Sequence, residues 1–176
     1  YPLVELATAL LFVLAYIHFG LTLIFFLYVL AFSGLIILFV YDALYQIVPD
    51  VVSVPTFFAA LSATISSGVS IESIGLGIMV GGGFFLLQFA LSKGGWIGGG
   101  DIRLGLIAGA LVGWPLVLLF LFVSYVLGSI ITLTVMGLQR NIQLKSYIPF
   151  GPYLILGMFI SLFWGHEILA WYISLL

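Results

Sequence analysis

Cysteine is absent from this chain of 176 residues, and charged residues are scarce. The absence of cysteine excludes disulfides, a thiolate nucleophile and a Cys-based metal site. Only 6% of the residues are charged, whereas an ordinary soluble domain carries roughly 25%. The six acids and four bases are thinly spread and give a net charge of −2, with no basic stripe and no acidic tail. Nucleic acid is therefore not an expected partner.

Runs of apolar residues make up most of the sequence between the few charged residues. Hydrophobic residues make up 64% of the chain, and runs close to the roughly 17 to 25 residues needed to cross a bilayer recur along it. Membrane lipid is thus the expected surrounding. Helices are predicted near residues 3–19, 21–41, 51–66, 73–92, 102–113, 116–137 and 150–174. The expected fold is an all-α polytopic transmembrane bundle of about seven spans, forming a single membrane-embedded domain over residues 1–176.

We predict a break between the fifth and sixth spans at Trp114-Pro115, because proline lacks the amide that a continuous helix needs. Residues 102–113 would then rise about 18 Å, which is short of a hydrocarbon core of about 30 Å, so Asp101 is expected below the membrane surface. Seven alternating crossings put all the basic residues on one face: Lys93, Arg103, Arg140 and Lys145. The positive-inside rule makes that face, with the N-terminus, cytoplasmic.

The six acids are the first candidates for chemistry, because ionisable residues at membrane depth are costly and usually functional. Structural interpretations suffice for Glu5, Glu72 and Glu167, at the start of a span, in an outer loop and near the outer interface. Asp50 follows Pro49 at a helix start, where a carboxylate can accept free backbone amides and interact favourably with the helix dipole. We therefore expect Asp50 to act as a cap.

Asp42 and Asp101 differ from the other acids, since both lie at the membrane boundary on the same predicted face. Neither has a cation at i±3 or i±4, and Arg103, two residues from Asp101, points to a different side of a helix. Asp101 taken alone could equally be an N-cap after the glycine-rich loop predicted from Gly94 to Gly100. A second glycine cluster, Gly81 to Gly83, favours close helix packing.

Two carboxylates that share one proton can hydrolyse an amide without a metal or a cofactor. The ionised carboxylate takes a proton from water as the water attacks the carbonyl, and the protonated partner polarises the carbonyl oxygen. Like charges a few Å apart in a low dielectric cannot both ionise, so one residue type supplies the acid and the base. The glycines before Asp101 would let an extended substrate approach its backbone closely.

The motifs around these residues resemble those of the bacterial prepilin peptidases, also called type IV leader peptidases. The matching segments are Asp42 with Val48-Pro49-Asp50, Gly98-Gly99-Gly100-Asp101 with Ile102-Arg103-Leu104, Gly109 and Gly113, and Ile148-Pro149-Phe150-Gly151-Pro152. The resemblance implies that Asp42 and Asp101 are catalytic. It implies substrate-binding or structural roles for the remaining motif residues Gly98, Gly100, Asp50, Pro149, Phe150, Gly151 and Pro152.

This resemblance further implies an aspartic endopeptidase of the bacterial inner membrane. Its substrates would be type IV prepilin and secretion pseudopilin precursors, cut after a glycine on the cytoplasmic side to release a short basic leader. Arg103 stands where the family often has Lys, which keeps the charge. The opening Tyr1-Pro2 resembles a segment from well inside full-length members, so a fragment or processed form is expected. Full-length members also methylate the new terminus with S-adenosylmethionine, which we do not expect of this chain.

Three alternatives stay open at this point. Presenilin and signal-peptide-peptidase proteases also carry a Tyr-Asp and a Gly-x-Gly-Asp motif, but their later motif is Pro-Ala-Leu, not Ile-Pro-Phe-Gly-Pro. A small proton or cation transporter would use paired intramembrane acids, although nearer the span centres and in two matched halves. A purely structural subunit would leave the clustered motifs unexplained.

Overall fold

Seven α-helices make up the part of the chain that the computed structural model describes, residues 2–138 and 149–175. They are α1 (Pro2–Phe19), α2 (Leu23–Tyr45), α3 (Asp50–Ser66), α4 (Ile71–Ser92), α5 (Gly99–Val112), α6 (Leu116–Leu138) and α7 (Gly151–Ile173). The all-helical prediction is confirmed, with ends that shift by a few residues. Arg140, Lys145 and Ile148 lie outside the described residues.

The lengths and surfaces of these helices are those of a multi-pass membrane protein. Among the described residues, five helices (α1, α2, α4, α6 and α7) are long and apolar enough to cross a bilayer. The apolar α3 has 17 residues and α5 only 14, and 14 residues rise about 21 Å. The short fifth helix is therefore confirmed. Large apolar side chains such as Leu3 and Val51 are more than four-fifths exposed, as expected where lipid replaces water.

Two helix boundaries that matter for the site differ from the prediction. The predicted second helix ended at Tyr41, but α2 continues to Tyr45, and its cap is Gln46 in the left-handed conformation. Asp42 therefore lies within the last turn of α2. A single carboxylate does not end the helix, because the backbone hydrogen bonds continue past it. Likewise α5 begins at Gly99, after the N-cap Gly98, so the predicted glycine loop ends two residues early and Asp101 lies in the first helical turn.

The break between α5 and α6 occurs at the predicted Trp114-Pro115, which is a cis peptide bond. Gly113 before it has a φ of 66°, a value that suits glycine because it has no side chain. The connection is held to the start of α4: the Trp114 amide bonds to Ser73 at 3.0 Å, and the Ser73 hydroxyl donates to the Trp114 carbonyl at 2.8 Å.

Close backbone contact between α4 and α5 centres on paired glycines. A Cβ at Gly77 or Gly81 would overlap the carbonyl oxygen of Gly109 or Gly105 on α5, and the reverse holds for the α5 glycines. This spacing of four residues on both helices lets two backbones approach closely in lipid. The packing role predicted for the cluster Gly81 to Gly83 is thus confirmed for Gly81 and for Gly82, where an added Cβ would overlap the side chain of Leu106 on α5. It is wrong for Gly83, where an added Cβ would meet open space, because that residue points away from α5.

The central position of α5 brings the ends of several helices together. It contacts α3, α4, α6 and α7, while α2 contacts α1, α3 and α7. The core between them is apolar and includes the fully buried Phe32, Phe85 and Phe120. The C-terminal ends of α2 and α4 consequently meet the N-terminal ends of α5 and α7.

Candidate active site

A cavity of about 810 Å³ lies where these helix ends meet. Both predicted catalytic residues line it, Asp42 from α2 and Asp101 from α5. Of the other predicted site residues, the following also line it: Gly98, Gly100, Pro149 and Phe150. Residues from three separated motifs therefore share one cavity, which the sequence could suggest but not show.

Asp42 is held by the start of the last helix. Its side chain is only 7% exposed, and its Oδ2 accepts a hydrogen bond of 2.9 Å from the backbone N–H of Gly151. That amide is one of the unpaired donors in the first turn of α7, which α7 cannot satisfy internally. A carboxylate is a strong acceptor for such a donor, so the bond fixes one oxygen of Asp42 at the cavity wall.

The glycine at position 151 is also a steric requirement. A Cβ there would lie 2.5 Å from Oδ2 of Asp42, 2.7 Å from its Cγ and 3.1 Å from Cδ1 of Leu104. No side chain fits between α7 and the carboxylate without moving one of them. The predicted motif residue Gly151 therefore positions Asp42, while Pro152, in the first turn of α7, is buried and needs no backbone partner there.

Asp101 is held in a matching way by the glycine loop. Its Oδ2 accepts a bond of 3.1 Å from the N–H of Gly98, and its own amide donates to the Gly98 carbonyl at 3.2 Å. Asp101 is the third residue of α5, so the N-cap is Gly98. Asp101 is therefore not the N-cap; its bond with the N-cap residue Gly98 is a capping-type interaction made from the third position of the helix. It does not compete with function, because the same side chain lines the cavity.

The carboxyl groups of Asp42 and Asp101 lie in the wall of the same cavity. Each accepts one backbone amide from a glycine and faces the same cavity. Two carboxyl groups in one poorly solvated cavity favour a state that holds a single proton. The arrangement can therefore supply a general base and a general acid to a molecule bound in the cavity.

Asp50 lies at the start of a helix, as expected, but its carboxylate has a different partner from the one that we expected. No side chain caps α3, whose N-cap is Pro49. The carboxylate of Asp50 instead forms a two-bonded ion pair with Arg103, with Nε to Oδ1 at 2.5 Å and Nη2 to Oδ2 at 2.9 Å. Arg103 also donates to the Val48 carbonyl at 3.3 Å. The capping prediction was wrong because the fold brings a guanidinium within reach, a stronger partner than the helix amides.

The Arg103 contacts hold the loop after α2 against α5. A Cβ at Gly100 would lie 2.7 Å from Cγ2 of Val48, so Gly100 allows the loop to come this close. The expectation that Arg103 does not neutralise Asp101 agrees with its pairing to Asp50. Both Arg103 and Val48 line the cavity.

Sequence reasoning missed Gln46, the cap of α2, and two polar residues of the cavity wall that lie within helices, Gln88 on α4 and Tyr125 on α6. Gln88 and Tyr125 are hydrogen-bonded to each other at 3.0 to 3.1 Å. Their signal was available, because an amide within an otherwise apolar span is unusual in lipid. Neither belongs to a motif, and only helix packing brings them to the aspartates. Within the described ranges, no group of three or more His, Cys, Asp or Glu side chains is suited to a metal ion.

Comparison with known proteins agrees with the resemblance in the motifs. A protein-family model described as the type IV leader peptidase family matches residues 28–133. The chain is 35% identical to the prepilin leader peptidase/N-methyltransferase of Pseudomonas aeruginosa, over 99% of this chain and 61% of that protein. It is 31% identical to the protein of the same name from Legionella pneumophila, over 99% of this chain and 62% of that protein.

A third relative, the prepilin leader peptidase/N-methyltransferase of Bacillus subtilis, is 29% identical over 99% of this chain and 70% of that protein. No solved structure matches the chain significantly. The chain spans about three fifths of the length of the Pseudomonas and Legionella relatives. The matched family model covers the region that contributes both aspartates. This multi-pass membrane chain belongs to the type IV leader peptidase family.

Proposed function

We propose that the chain is an intramembrane aspartic endopeptidase that removes the basic leader from type IV prepilin and secretion pseudopilin precursors. The observation that carries the proposal is the pair of carboxyl groups, Asp42 and Asp101, each fixed by a glycine amide in one shared cavity. Family membership and the names of the relatives support the peptidase reaction and the prepilin substrate. The family match also favours this function over a presenilin-type protease.

The reaction follows from the paired carboxyl groups. The ionised member accepts a proton from a water molecule while the water oxygen bonds to the carbonyl carbon of the scissile peptide. The protonated member donates a hydrogen bond and then its proton to the carbonyl oxygen. The tetrahedral intermediate collapses as the C–N bond breaks, and a proton passes to the leaving nitrogen. One water is consumed, and the pair returns to a single shared proton.

The cavity wall suits an extended segment of the precursor. Glycines 94, 95, 98, 99 and 100 line the cavity beside Asp101, and their small size leaves the backbone open to a close approach. A leader peptidase must admit an unfolded strand of substrate, and an extended strand can hydrogen-bond to exposed peptide groups. The loop therefore fits a precursor segment better than a folded surface.

We place the cleavage at the cytoplasmic face of the bacterial inner membrane. The basis is the side that the basic residues Lys93 and Arg103 share with the two aspartates in the alternating topology. The relatives' names also include an N-methyltransferase. We assign to this cavity the peptidase reaction alone, because hydrolysis needs only two carboxyl groups and water. Separate assays of released leader and of methylated product from S-adenosylmethionine test that assignment.

The test is cleavage of a prepilin-like precursor by the purified protein in detergent, with the released leader detected by mass spectrometry. Asp42→Asn and Asp101→Asn should each lower kcat by about a thousandfold or more. Glu72→Gln is the matched control, because it makes the same chemical change at an exposed residue of α4. Parental cleavage by either asparagine variant would overturn the assignment. If the parent does not cleave, ion flux in vesicles tests the transporter alternative.

A further inference from the structure

Gln88 and Tyr125 form a polar pair in the wall of the aspartate cavity. Gln88 is the only amide side chain of α4. It follows Gly77, Gly81 and Phe85 on the face of α4 that packs against α5. Gln88 therefore reaches the cavity at the end of the contact between these two helices. The two residues are partly buried and lie within hydrogen-bond distance at both the nitrogen and the oxygen of the Gln88 amide.

The hydrogen-bond capacity of the pair exceeds what the two side chains can give each other. Tyrosine has one O–H donor, and the glutamine amide has two N–H donors and an acceptor oxygen. If the amide donates to the hydroxyl oxygen, the tyrosine O–H points elsewhere. If the hydroxyl donates to Oε1, both amide N–H groups remain. In either arrangement at least one donor is left for a molecule in the cavity, and a poorly solvated donor without a partner is costly.

The position of Tyr125 places that donor in the cavity that both carboxyl groups line. Tyr125 and Asp101 line the same cavity. The Tyr125 ring packs edge-on against Phe150, with centroids 5.1 Å apart, and the next residue, Gly151, donates to Asp42. The donor therefore shares the cavity with both carboxyl groups and lies on the side where Phe150 and Gly151 lead to Asp42, so a peptide bound in the cavity could bring a main-chain carbonyl to it.

From this geometry we infer that Gln88 and Tyr125 form a substrate-binding pair that donates a hydrogen bond to a main-chain carbonyl of the precursor near the scissile bond. The inference rests on the proposed peptidase function and adds residues that no motif contains. A main-chain contact fixes the register of an extended segment without reading its side chains. The pair would thus serve precursors of different sequence equally.

The experiment compares Tyr125→Phe and Gln88→Leu with the parent in the cleavage assay. Tyr125→Phe removes only the hydroxyl and keeps the ring against Phe150. We expect kcat/KM to fall roughly 3- to 30-fold in each variant, and the double variant to lose little more than either alone, because the pair acts as a unit. Tyr153→Phe is the matched control: it makes the same change in a ring 6.3 Å from Phe150, on a residue that does not line the cavity.

A binding measurement separates this inference from the proposed reaction. In an Asp42→Asn/Asp101→Asn background, Tyr125→Phe should raise the Kd for the precursor by a similar factor, while a cooperative melting transition shows that the variant remains folded. The loss should be equal for two precursors that differ in the side chains around the cut. A second possible result is cleavage that depends on both aspartates while Tyr125→Phe and Gln88→Leu both keep the parental kcat/KM and Kd. That result would refute the substrate-binding role of the pair and leave the proposed peptidase function standing. A loss confined to one precursor would refute main-chain recognition.

Discussion

The substitution Gly151→Ala tests how the last helix positions Asp42, one of the two proposed catalytic carboxylates. The new Cβ would lie 2.5 Å from Oδ2 of Asp42, whereas ordinary contacts begin at about 3.5 Å. Relief requires about 1 Å of movement by the carboxylate or by the start of α7. Either movement lengthens or breaks the 2.9 Å bond from the residue-151 amide, and with it the geometry of the aspartate pair.

The size of the expected effect follows from that displacement. A misplacement of about 1 Å in a catalytic group can cost about a hundredfold in rate, so we expect kcat to fall by about that factor. KM should change little, because Gly151 does not line the cavity. Overpacking by one methyl group costs about 1 to 3 kcal/mol of stability, and the variant should remain folded in the membrane.

The assay is steady-state cleavage of the precursor in detergent, with the melting temperature measured on the same preparations. Gly157→Ala is the matched control, since its added Cβ would overlap the hydroxyl of Ser124 on α6, away from Asp42. Gly83→Ala, where an added Cβ meets open space, is the neutral control. A parental kcat in Gly151→Ala, or an equal loss of kcat in Gly157→Ala, would refute this account of Asp42.

Three further outcomes follow from other contacts. Asp50→Asn should lower cleavage by less than about fivefold. Its ion pair with Arg103 is substantially exposed, and such pairs contribute at most about 1 kcal/mol. Complete loss of cleavage with normal expression would contradict this expectation. Arg103→Lys should fall within the same range, since the charge is kept and only the two-bonded geometry is lost; the same cleavage assay measures it. Gly109→Ala should lower the melting temperature by several degrees, because a Cβ would overlap the backbone of Gly77, while Gly75→Ala, with open space around it, should not lower it.

Local pattern alone determined the helices of this protein and the identity of its two central acids. In lipid every backbone polar group must be paired within the segment, so a long apolar run predicts a helix with little ambiguity. The break at Trp114-Pro115 followed from the missing amide of proline. Asp42 and Asp101 stood out because charges are rare in such a chain and each sits in a motif.

Tertiary packing decided how the acids are held and what surrounds them. The amide that fixes Asp42 comes from a residue 109 positions away, and the arginine that pairs with Asp50 lies 53 positions along the chain. Gln88 and Tyr125 belong to apolar helices whose pattern does not say which side faces a cavity. Apolar periodicity in water marks the buried face of a helix, but in lipid both faces are apolar. The sequence therefore specified the spans, and only the contacts between helices specified the site.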